Sequence, residues 1–162
     1  MGVAGCGKSA VGRLIAAQLG LPLIEGDDFH PANNVSKMQR GEALTDEDRA
    51  DWLQTLGLEL ARHADGAVLT CSALKAGYRN SLRAAAAPLH FVYLRISEAE
   101  SLRRVARRAG HFYPPSLVAS QFAALQDPSG EPGVLTLEGE LPLTDLGQRA
   151  AQWLTSAADR VQ

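Results

Sequence analysis

The chain reads Gly2-Val3-Ala4-Gly5-Cys6-Gly7-Lys8-Ser9 at residues 2–9. This stretch matches the pattern G-x-x-x-x-G-K-[ST] at every fixed position. Glycines let successive backbone N–H groups turn inward around phosphate oxygens, and a helix that follows adds the positive end of its dipole. In such a loop Lys8 reaches the β- and γ-phosphates of a nucleotide, and Ser9 ligates Mg²⁺. Residues Gly2 to Ala10 are therefore predicted to bind the phosphates of ATP.

Length and composition narrow the class of protein further. The 162 residues have the size of one domain, and residues 1–162 are predicted to form one. The net charge of −2 gives no general attraction for nucleic acid or for an anionic membrane. Two cysteines, Cys6 and Cys71, are too few for a zinc or disulfide framework and favour a reducing compartment. Because no apolar run is long enough to span a bilayer, we expect a cytoplasmic protein.

Alternating strand-like and helical segments predict an α/β fold. Short apolar runs at 21–24, 67–71, 89–96 and 134–137 are the predicted strands. Helical spacing and capping signals predict the helices, which cover 7–19, 31–40, 45–64, 75–86, 98–109, 116–126 and a last segment around 146–157. This order is typical of a three-layer fold, in which helices flank a parallel sheet.

The phosphate loop should follow a strand, and here only Met1 stands before it. That strand normally lies centrally in the sheet. We therefore expect the sheet to lack its first strand, which would leave unpaired backbone groups and apolar faces on its neighbours.

An acidic cluster, Glu25-Gly26-Asp27-Asp28, follows the first predicted strand. Ligands of open α/β sheets bind beyond the carboxyl ends of the strands, so these carboxylates should face the phosphates. A kinase needs one carboxylate to accept the proton of the acceptor hydroxyl and another to help hold Mg²⁺ through water. The strand that ends in Thr70-Cys71-Ser72 offers only weak oxygen ligands. A polar turn with helix-capping acids is the alternative interpretation of the cluster.

With these segments in view, the chain resembles the gluconate kinases of the P-loop type, relatives of shikimate and adenylate kinases. The resemblance runs from Gly2 to about Pro142, and three stretches carry most of it: EGDDFHPANNVSKM at 25–38, CSALKAGYRNSLR at 71–83 and RRAGHFYPPSLVASQFAALQDP at 107–128. Shikimate kinases share the phosphate loop and the spaced carboxylates but not these stretches. The resemblance implies a P-loop fold with a small lid, a homodimer, and ATP- and Mg²⁺-dependent phosphorylation of D-gluconate to 6-phospho-D-gluconate.

The resemblance also implies roles for the acidic cluster. Asp27 matches the second acid of the family's [DE]-G-D motif and is assigned as the base for the acceptor hydroxyl. Glu25 matches the first acid and is assigned to Mg²⁺ through water. His30, with Asp28 and Asn34, is assigned to the acceptor pocket.

Three basic residues are candidates for binding the acceptor. Arg49 lies one turn before Trp52 on an inward-facing stripe, which suggests an anionic partner such as the gluconate carboxylate. An ion pair with a neighbouring aspartate of the same helix is the alternative. Lys75 and Arg79 are four residues apart and are predicted to clamp the acceptor carboxylate or the transferred phosphoryl group, with Lys75 counted as catalytic beside Lys8. The alternative is a solvated helix start, which is unfavourable for Lys75 unless an anion lies near the positive helix end.

A lid is predicted at about 104–126. The resemblance implies that Arg104 and Arg108 reach the ATP phosphates when the lid closes. His111 fits the lid motif and is assigned to the substrate. The same helix is expected to turn Leu102 and Val105 towards the core, and a purely solvated arginine face is the alternative.

Two other functions stay open at this stage. One is a kinase of the same fold with another acceptor, such as a shikimate kinase, against which the stretch CSALK-x-x-YR argues. The other is a nucleotide-binding remnant without catalysis, which the missing strand supports.

Overall fold

A computed structural model describes residues 1–107 and 113–158. This part of the chain contains seven α-helices, four strands and two short 3-10 turns. In chain order these are α1 (Lys8–Leu19), β1 (Leu23–Glu25), a 3-10 turn (Gly26–Phe29), α2 (Ala32–Gln39), α3 (Asp46–Ala61), β2 (Val68–Thr70), α4 (Ala76–Ala85), β3 (Phe91–Arg95), α5 (Glu98–Ala106), a 3-10 turn (Pro115–Leu117), α6 (Val118–Ala124), β4 (Val134–Glu138) and α7 (Leu143–Ala158).

The strands pair in parallel, as predicted, but they form two separate two-stranded sheets. β1 pairs with β2, with Ile24 opposite Leu69, and β3 pairs with β4, with Tyr93 opposite Thr136. The segments that connect paired strands are long and helical, which parallel pairing requires. The predicted α/β class is therefore confirmed, with the sheet divided into two halves.

Met1 lies between the two halves, and its backbone pairs with β3. Its nitrogen lies 2.6 Å from the Val92 carbonyl oxygen, and its own carbonyl accepts the Leu94 N–H at 3.0 Å. On the other side, the Gly2 N–H donates to the Ser72 carbonyl at 3.2 Å. The described residues contain no strand between β2 and β3, in agreement with the predicted interruption.

A cavity of about 890 Å³ occupies this place in the sheet. Apolar side chains from both halves and from the helices that cover them line it, among them Val11, Ile15, Leu69, Leu82, Val92 and Leu94. Because β-strand backbone groups alternate in direction, those of β2 and β3 that do not face β1 or β4 point towards this space.

Three buried apolar clusters form the core of the described residues. The two larger ones lie on the two halves of the sheet, and a small third one contains Met38, Leu44 and Leu117. α7 packs on the half that contains β3 and β4. α1 contacts α7 as well as β1 and β2, and Ile15, Leu94 and Ala150 are buried in one cluster. α3 and α4 pack on the half that contains β1, where Trp52 and Leu56 are almost fully buried. Burial of one such side chain stabilises the fold by about 2 kcal/mol. The helices therefore hold each half of the sheet even though the strands do not meet.

The sequence pattern predicted the start of α3 correctly but predicted one buried residue of α5 wrongly. The capping box of α3 is present: the Asp48 N–H donates to the Thr45 hydroxyl, and the Thr45 N–H donates to the Asp48 carboxylate. In α5, Val105 is buried as predicted, but the prediction for Leu102 was wrong, because that side chain is 46% exposed. Ser101 is the fully buried neighbour instead, and its hydroxyl donates to the Ala4 carbonyl at 2.8 Å.

Candidate active site

The phosphate loop ends where α1 begins, and a left-handed residue makes this junction. Gly7 is the N-cap of α1, with φ of 101°, and no side chain caps the helix. A Cβ at Gly7 would meet nothing within 4 Å, so the positive φ and not crowding requires glycine there. The first N–H groups of α1 thus remain available to an anion, which the helix dipole also favours.

Lys8 holds the loop in shape. Its ammonium donates to the carbonyls of Gly2 and Val3, at 3.1 and 3.0 Å. The side chain thereby curls back over the loop, where a phosphate oxygen can take one of its three donors. Val3 and Cys6 are buried, so the loop turns its side chains into the core and leaves its backbone to face the cleft.

Ser9, Glu25 and Thr70 form a compact oxygen cluster beside the loop. One oxygen of the Glu25 carboxylate accepts from the Ser9 hydroxyl at 2.9 Å and from the Thr70 hydroxyl at 2.6 Å. Glu25 ends β1 and Thr70 ends β2, and the two are paired in register. Hydroxyl and carboxylate oxygens are ligands that Mg²⁺ accepts together with phosphate oxygens, so these residues fit the ion. Sequence reasoning had set Thr70 aside as a weak ligand and had not paired it with Glu25.

The turn that carries Asp27 is fixed by close packing. A Cβ on Gly26 would lie 2.3 Å from the Thr70 carbonyl oxygen, so only glycine fits. The Trp52 indole N–H donates to the Gly26 carbonyl at 2.8 Å. These contacts present the exposed Asp27 carboxylate to a cleft that Lys8 also lines.

His30 lies on the wall of the same cleft. Its ring stacks on Trp52, with centroids 4.2 Å apart. Burial lowers the pKa of His30, and nearby Asp27 only partly offsets this effect, so the imidazole is neutral at pH 7. Its Nδ1 atom is buried and has no hydrogen-bond partner among the described residues. Because this nitrogen is not exposed to solvent, a ligand in the cleft would contact another part of the imidazole.

Arg49 also lines the cleft, and its guanidinium forms no carboxylate pair within the described part of the chain. It donates instead to the carbonyls of Leu44 and Thr45. The predicted alternative was an ion pair within the helix, and it does not form. Asp46 pairs with Lys75 at 2.6 Å, and Asp48 pairs with Lys37 at 2.8 Å.

The structure places Lys75 differently from the predicted clamp. Its ammonium donates to both oxygens of Asp46, at 2.6 and 2.8 Å, and it does not line the cleft. Hydrogen bonds from Lys75 and then Tyr78 lower the pKa of Asp46. The anion that the start of α4 requires is therefore Asp46, and a catalytic role for Lys75 stays a prediction.

Arg79 is a correction to the predicted acceptor clamp. The side chain is fully buried, and all five of its N–H donors are used within the chain. Two go to the Ala73 and Leu74 carbonyls at 2.9 Å, one goes to the Gln126 carbonyl at 3.1 Å, and the others go to Glu131. With no donor left, Arg79 ties the loop before α4 to the segment after α6 and does not face a substrate.

Arg104 contacts the phosphate loop from outside the cleft. Its guanidinium donates to the Gly139 carbonyl at 3.1 Å and to the Gly5 carbonyl at 3.4 Å. Arg103 and then Arg104 lower the pKa of Glu100 to about 2. Arg108 and His111 lie outside the described residues, so their predicted roles, and that of the lid, stay predictions.

Gln121 is a cleft residue that sequence reasoning did not single out. The Ala4 N–H of the phosphate loop donates to its side-chain oxygen at 2.6 Å. The only sequence signal was its place in the stretch SQF within the family-like segment, which names no partner.

A phosphate loop at the start of α1 and carboxylates at the ends of parallel strands define a P-loop kinase, a class of enzyme that uses ATP. Comparisons with known proteins agree. Residues 1–129 match the family model of an AAA domain. Gluconokinase of Gluconobacter oxydans is 46% identical over 143 residues, which are 86% of this chain and 80% of that protein. The thermosensitive gluconokinase of Escherichia coli is 42% identical over 134 residues, 81% of this chain and 72% of that one.

Solved structures give the same result. A gluconokinase from Sinorhizobium meliloti superposes with a TM-score of 0.90 at 43% identity, covering 99% of this chain and 92% of that one. The chain therefore belongs to the gluconokinase family and is a phosphotransferase with an alcohol group as acceptor. A deoxyadenosine kinase from M. mycoides, at 14% identity and a TM-score of 0.67, shares the fold alone. No helix in the described ranges is long and apolar enough to cross a membrane.

Proposed function

We propose that this protein transfers the γ-phosphoryl group of Mg²⁺-bound ATP to a hydroxyl of D-gluconate and releases 6-phospho-D-gluconate. One observation carries the proposal: a single cleft brings together Lys8 of the phosphate loop, the exposed Asp27 carboxylate and the carboxylate-free Arg49 guanidinium. The first group suits the phosphates of ATP. The other two suit the hydroxyl and the carboxylate of a sugar acid.

On the nucleotide side, the backbone N–H groups of residues 2–9 and the Lys8 ammonium bind the phosphates and neutralise charge that develops during transfer. The Ser9 hydroxyl and the Glu25 carboxylate would hold Mg²⁺, with Thr70 orienting Glu25. The ion supplies further charge neutralisation when bound.

On the acceptor side, Asp27 accepts the proton of the attacking hydroxyl. Arg49 binds the carboxylate of gluconate, because a planar guanidinium matches a carboxylate with two parallel hydrogen bonds. His30 lines the same cleft and is assigned to the acceptor pocket. Trp52 stacks on His30 and donates to the carbonyl of Gly26, which precedes Asp27. One residue therefore supports both His30 and the turn that carries Asp27.

The Asp27→Asn variant tests the proposal. It keeps the shape of the side chain but removes the base, so turnover with gluconate should fall by about 10²- to 10⁴-fold while ATP binding stays within about twofold. ADP release would be followed with Mg²⁺-ATP and gluconate, shikimate or no acceptor, and ATP binding by calorimetry. Asp51→Asn, an exposed carboxylate on α3, is the matched control and should keep full activity.

Two outcomes would contradict the proposal. Wild-type protein that is folded and binds ATP but releases no ADP with gluconate would favour a binding-only remnant. Equal turnover with shikimate would favour another acceptor. Two further proposals are a homodimer, which the family resemblance implies, and a cytoplasmic location, which follows from the composition. Light scattering on the purified protein tests the homodimer.

A further inference from the structure

Both helices that flank residues 108–112 contact a single peptide unit of the phosphate loop. From α6, the Gln121 side-chain oxygen accepts the Ala4 N–H at 2.6 Å. From α5, the fully buried Ser101 hydroxyl donates to the Ala4 carbonyl at 2.8 Å. These contacts join residues 117 and 97 positions apart in the chain. The two helices therefore hold Ala4 from both sides.

The two contacts use different groups of Ala4, and only one of these groups faces the cleft. The Ala4 carbonyl points to buried Ser101, where no ligand can compete. The Ala4 N–H points to Gln121, which lines the cleft together with Lys8 and Asp27. Backbone N–H groups of a phosphate loop are the donors that bind phosphate oxygens. Because one N–H serves one strong acceptor at a time, a phosphate oxygen and the Gln121 oxygen compete for it.

We propose that Gln121 holds the Ala4 N–H until a phosphate oxygen of ATP takes it, and that its amide then contacts the transferred phosphoryl group as a catalytic residue. The inference rests on the proposed function for this cleft and adds a residue to it. The released amide still lies in the cleft, where it also hydrogen-bonds the Tyr113 hydroxyl, and its NH₂ group has two donor hydrogens. It then orients the transferred phosphoryl group beside Lys8.

A purely structural role is the competing explanation. In that case the Gln121 side chain only satisfies the partly buried Ala4 N–H, and its loss weakens the loop and the properties that depend on the loop. The chain offers a matched control, because the Gln126 side-chain oxygen accepts the Ala76 N–H at 2.7 Å at the start of α4. Both bonds join a glutamine oxygen to a backbone N–H, but Gln126 does not line the cleft.

Three variants of the full chain separate these explanations: Gln121→Met, Gln121→Glu and Gln126→Met. Affinity for Mg²⁺-ATP without acceptor is measured by calorimetry, thermal unfolding is followed without ligand, and kcat is measured with gluconate. Gln121→Met frees the Ala4 N–H, so ATP affinity should be equal or up to about fivefold tighter while kcat falls about tenfold or more. Gln121→Glu keeps an acceptor but adds a negative charge beside the phosphates, so ATP affinity should fall by about tenfold or more. Gln126→Met should lower the thermal midpoint and leave ATP affinity unchanged.

Weaker ATP binding in Gln121→Met, together with a lowered thermal midpoint like that of Gln126→Met, would overturn the proposal in favour of a structural bond. Unchanged kcat and affinity in Gln121→Met would also overturn it. The binding and unfolding measurements need no acceptor, so weaker ATP binding with a lowered thermal midpoint in Gln121→Met overturns the inference even if wild-type protein does not phosphorylate gluconate. A failure of the proposed function is thus seen in the wild type, and a failure of this inference is seen in the variants.

Discussion

The phosphate loop is hydrogen-bonded to its neighbours on several sides, whereas the sheet behind it is interrupted. Around the loop, α1, α5, α6 and the end of β2 all supply hydrogen bonds, and even its carbonyls have partners in Lys8, Ser101 and Arg104. Directly behind it, the two halves of the sheet enclose a cavity of about 890 Å³. A site that binds phosphates needs only a short loop and its anchors, whereas the stability of the sheet needs continuous pairing. The two properties can therefore be separated by substitution.

The largest expected effect lies on the loop side. Lys8→Met removes the ammonium that neutralises the transferred phosphoryl group, so kcat should fall by about 10³-fold or more. The free energy of unfolding should change by less than about 1 kcal/mol, because the lost hydrogen bonds are partly exposed to water. Steady-state kinetics and urea unfolding of the same preparation measure both. A loss of several kcal/mol in stability would show that the loop and the sheet are not separable.

The second prediction compares two leucines that are equally buried on the sheet side. Leu56 on α3 is fully packed, whereas Leu82 on α4 lines the cavity. Leu56→Ala should cost about 4 kcal/mol in the free energy of unfolding, and Leu82→Ala about 2 kcal/mol, because one face of Leu82 already lacks contact partners. Urea denaturation curves give both values. Equal costs would mean that the cavity wall is packed as tightly as the core.

The third prediction concerns Arg79, which ties the loop before α4 to Glu131. Glu131→Gln leaves a fully buried guanidinium without its carboxylate, and unfolding should become easier by about 3 kcal/mol. Arg79 above all lowers the pKa of Glu131, with Arg83 contributing further. The stabilisation by this pair is therefore present above the unfolded pKa of about 4.3 and is lost as the pH falls through the lower folded value.

The free energy of unfolding, measured between pH 6 and pH 2, tests whether the Arg79–Glu131 pair loses its stabilising effect as the pH falls. The wild type should lose stability more steeply with acid than Glu131→Gln, and the two should converge at low pH. Parallel curves would show that the pair contributes nothing. Glu59→Gln is the control, because Glu59 pairs with the exposed Arg62 on the surface of α3 and should shift stability by less than about 1 kcal/mol.

The sequence predicted those features that depend on neighbours in the chain. The phosphate loop, the capping box at Thr45 and the parallel strands all follow from short patterns with a direct physical cause. Asp27 also came from local order, since it follows a strand and parallel strands end at one edge. The interruption of the sheet was predictable for the same reason, because the loop pattern requires a strand before it.

Features set by distant partners could not be predicted in this way. Lys75 and Arg79 were recognised as cations that need an anion, but Asp46 is 29 residues from Lys75 and Glu131 is 52 residues from Arg79. Only the packing of the folded chain shows that these carboxylates, and not a substrate, are the partners of the two cations. The contact of Gln121 with Ala4 spans 117 residues and had no signal at all, because glutamine fits many surroundings.

The cavity between β2 and β3 also bears on the volume of the molecule. Chain unfolding eliminates internal voids, so the unfolded state is the smaller one, and hydrostatic pressure favours it. The cavity lies in the centre of a sheet whose helices stay well packed, and the part of it that water does not fill is such a void. Compression should therefore open the molecule along the line between its two halves, at pressures that a continuous sheet of the same length would withstand.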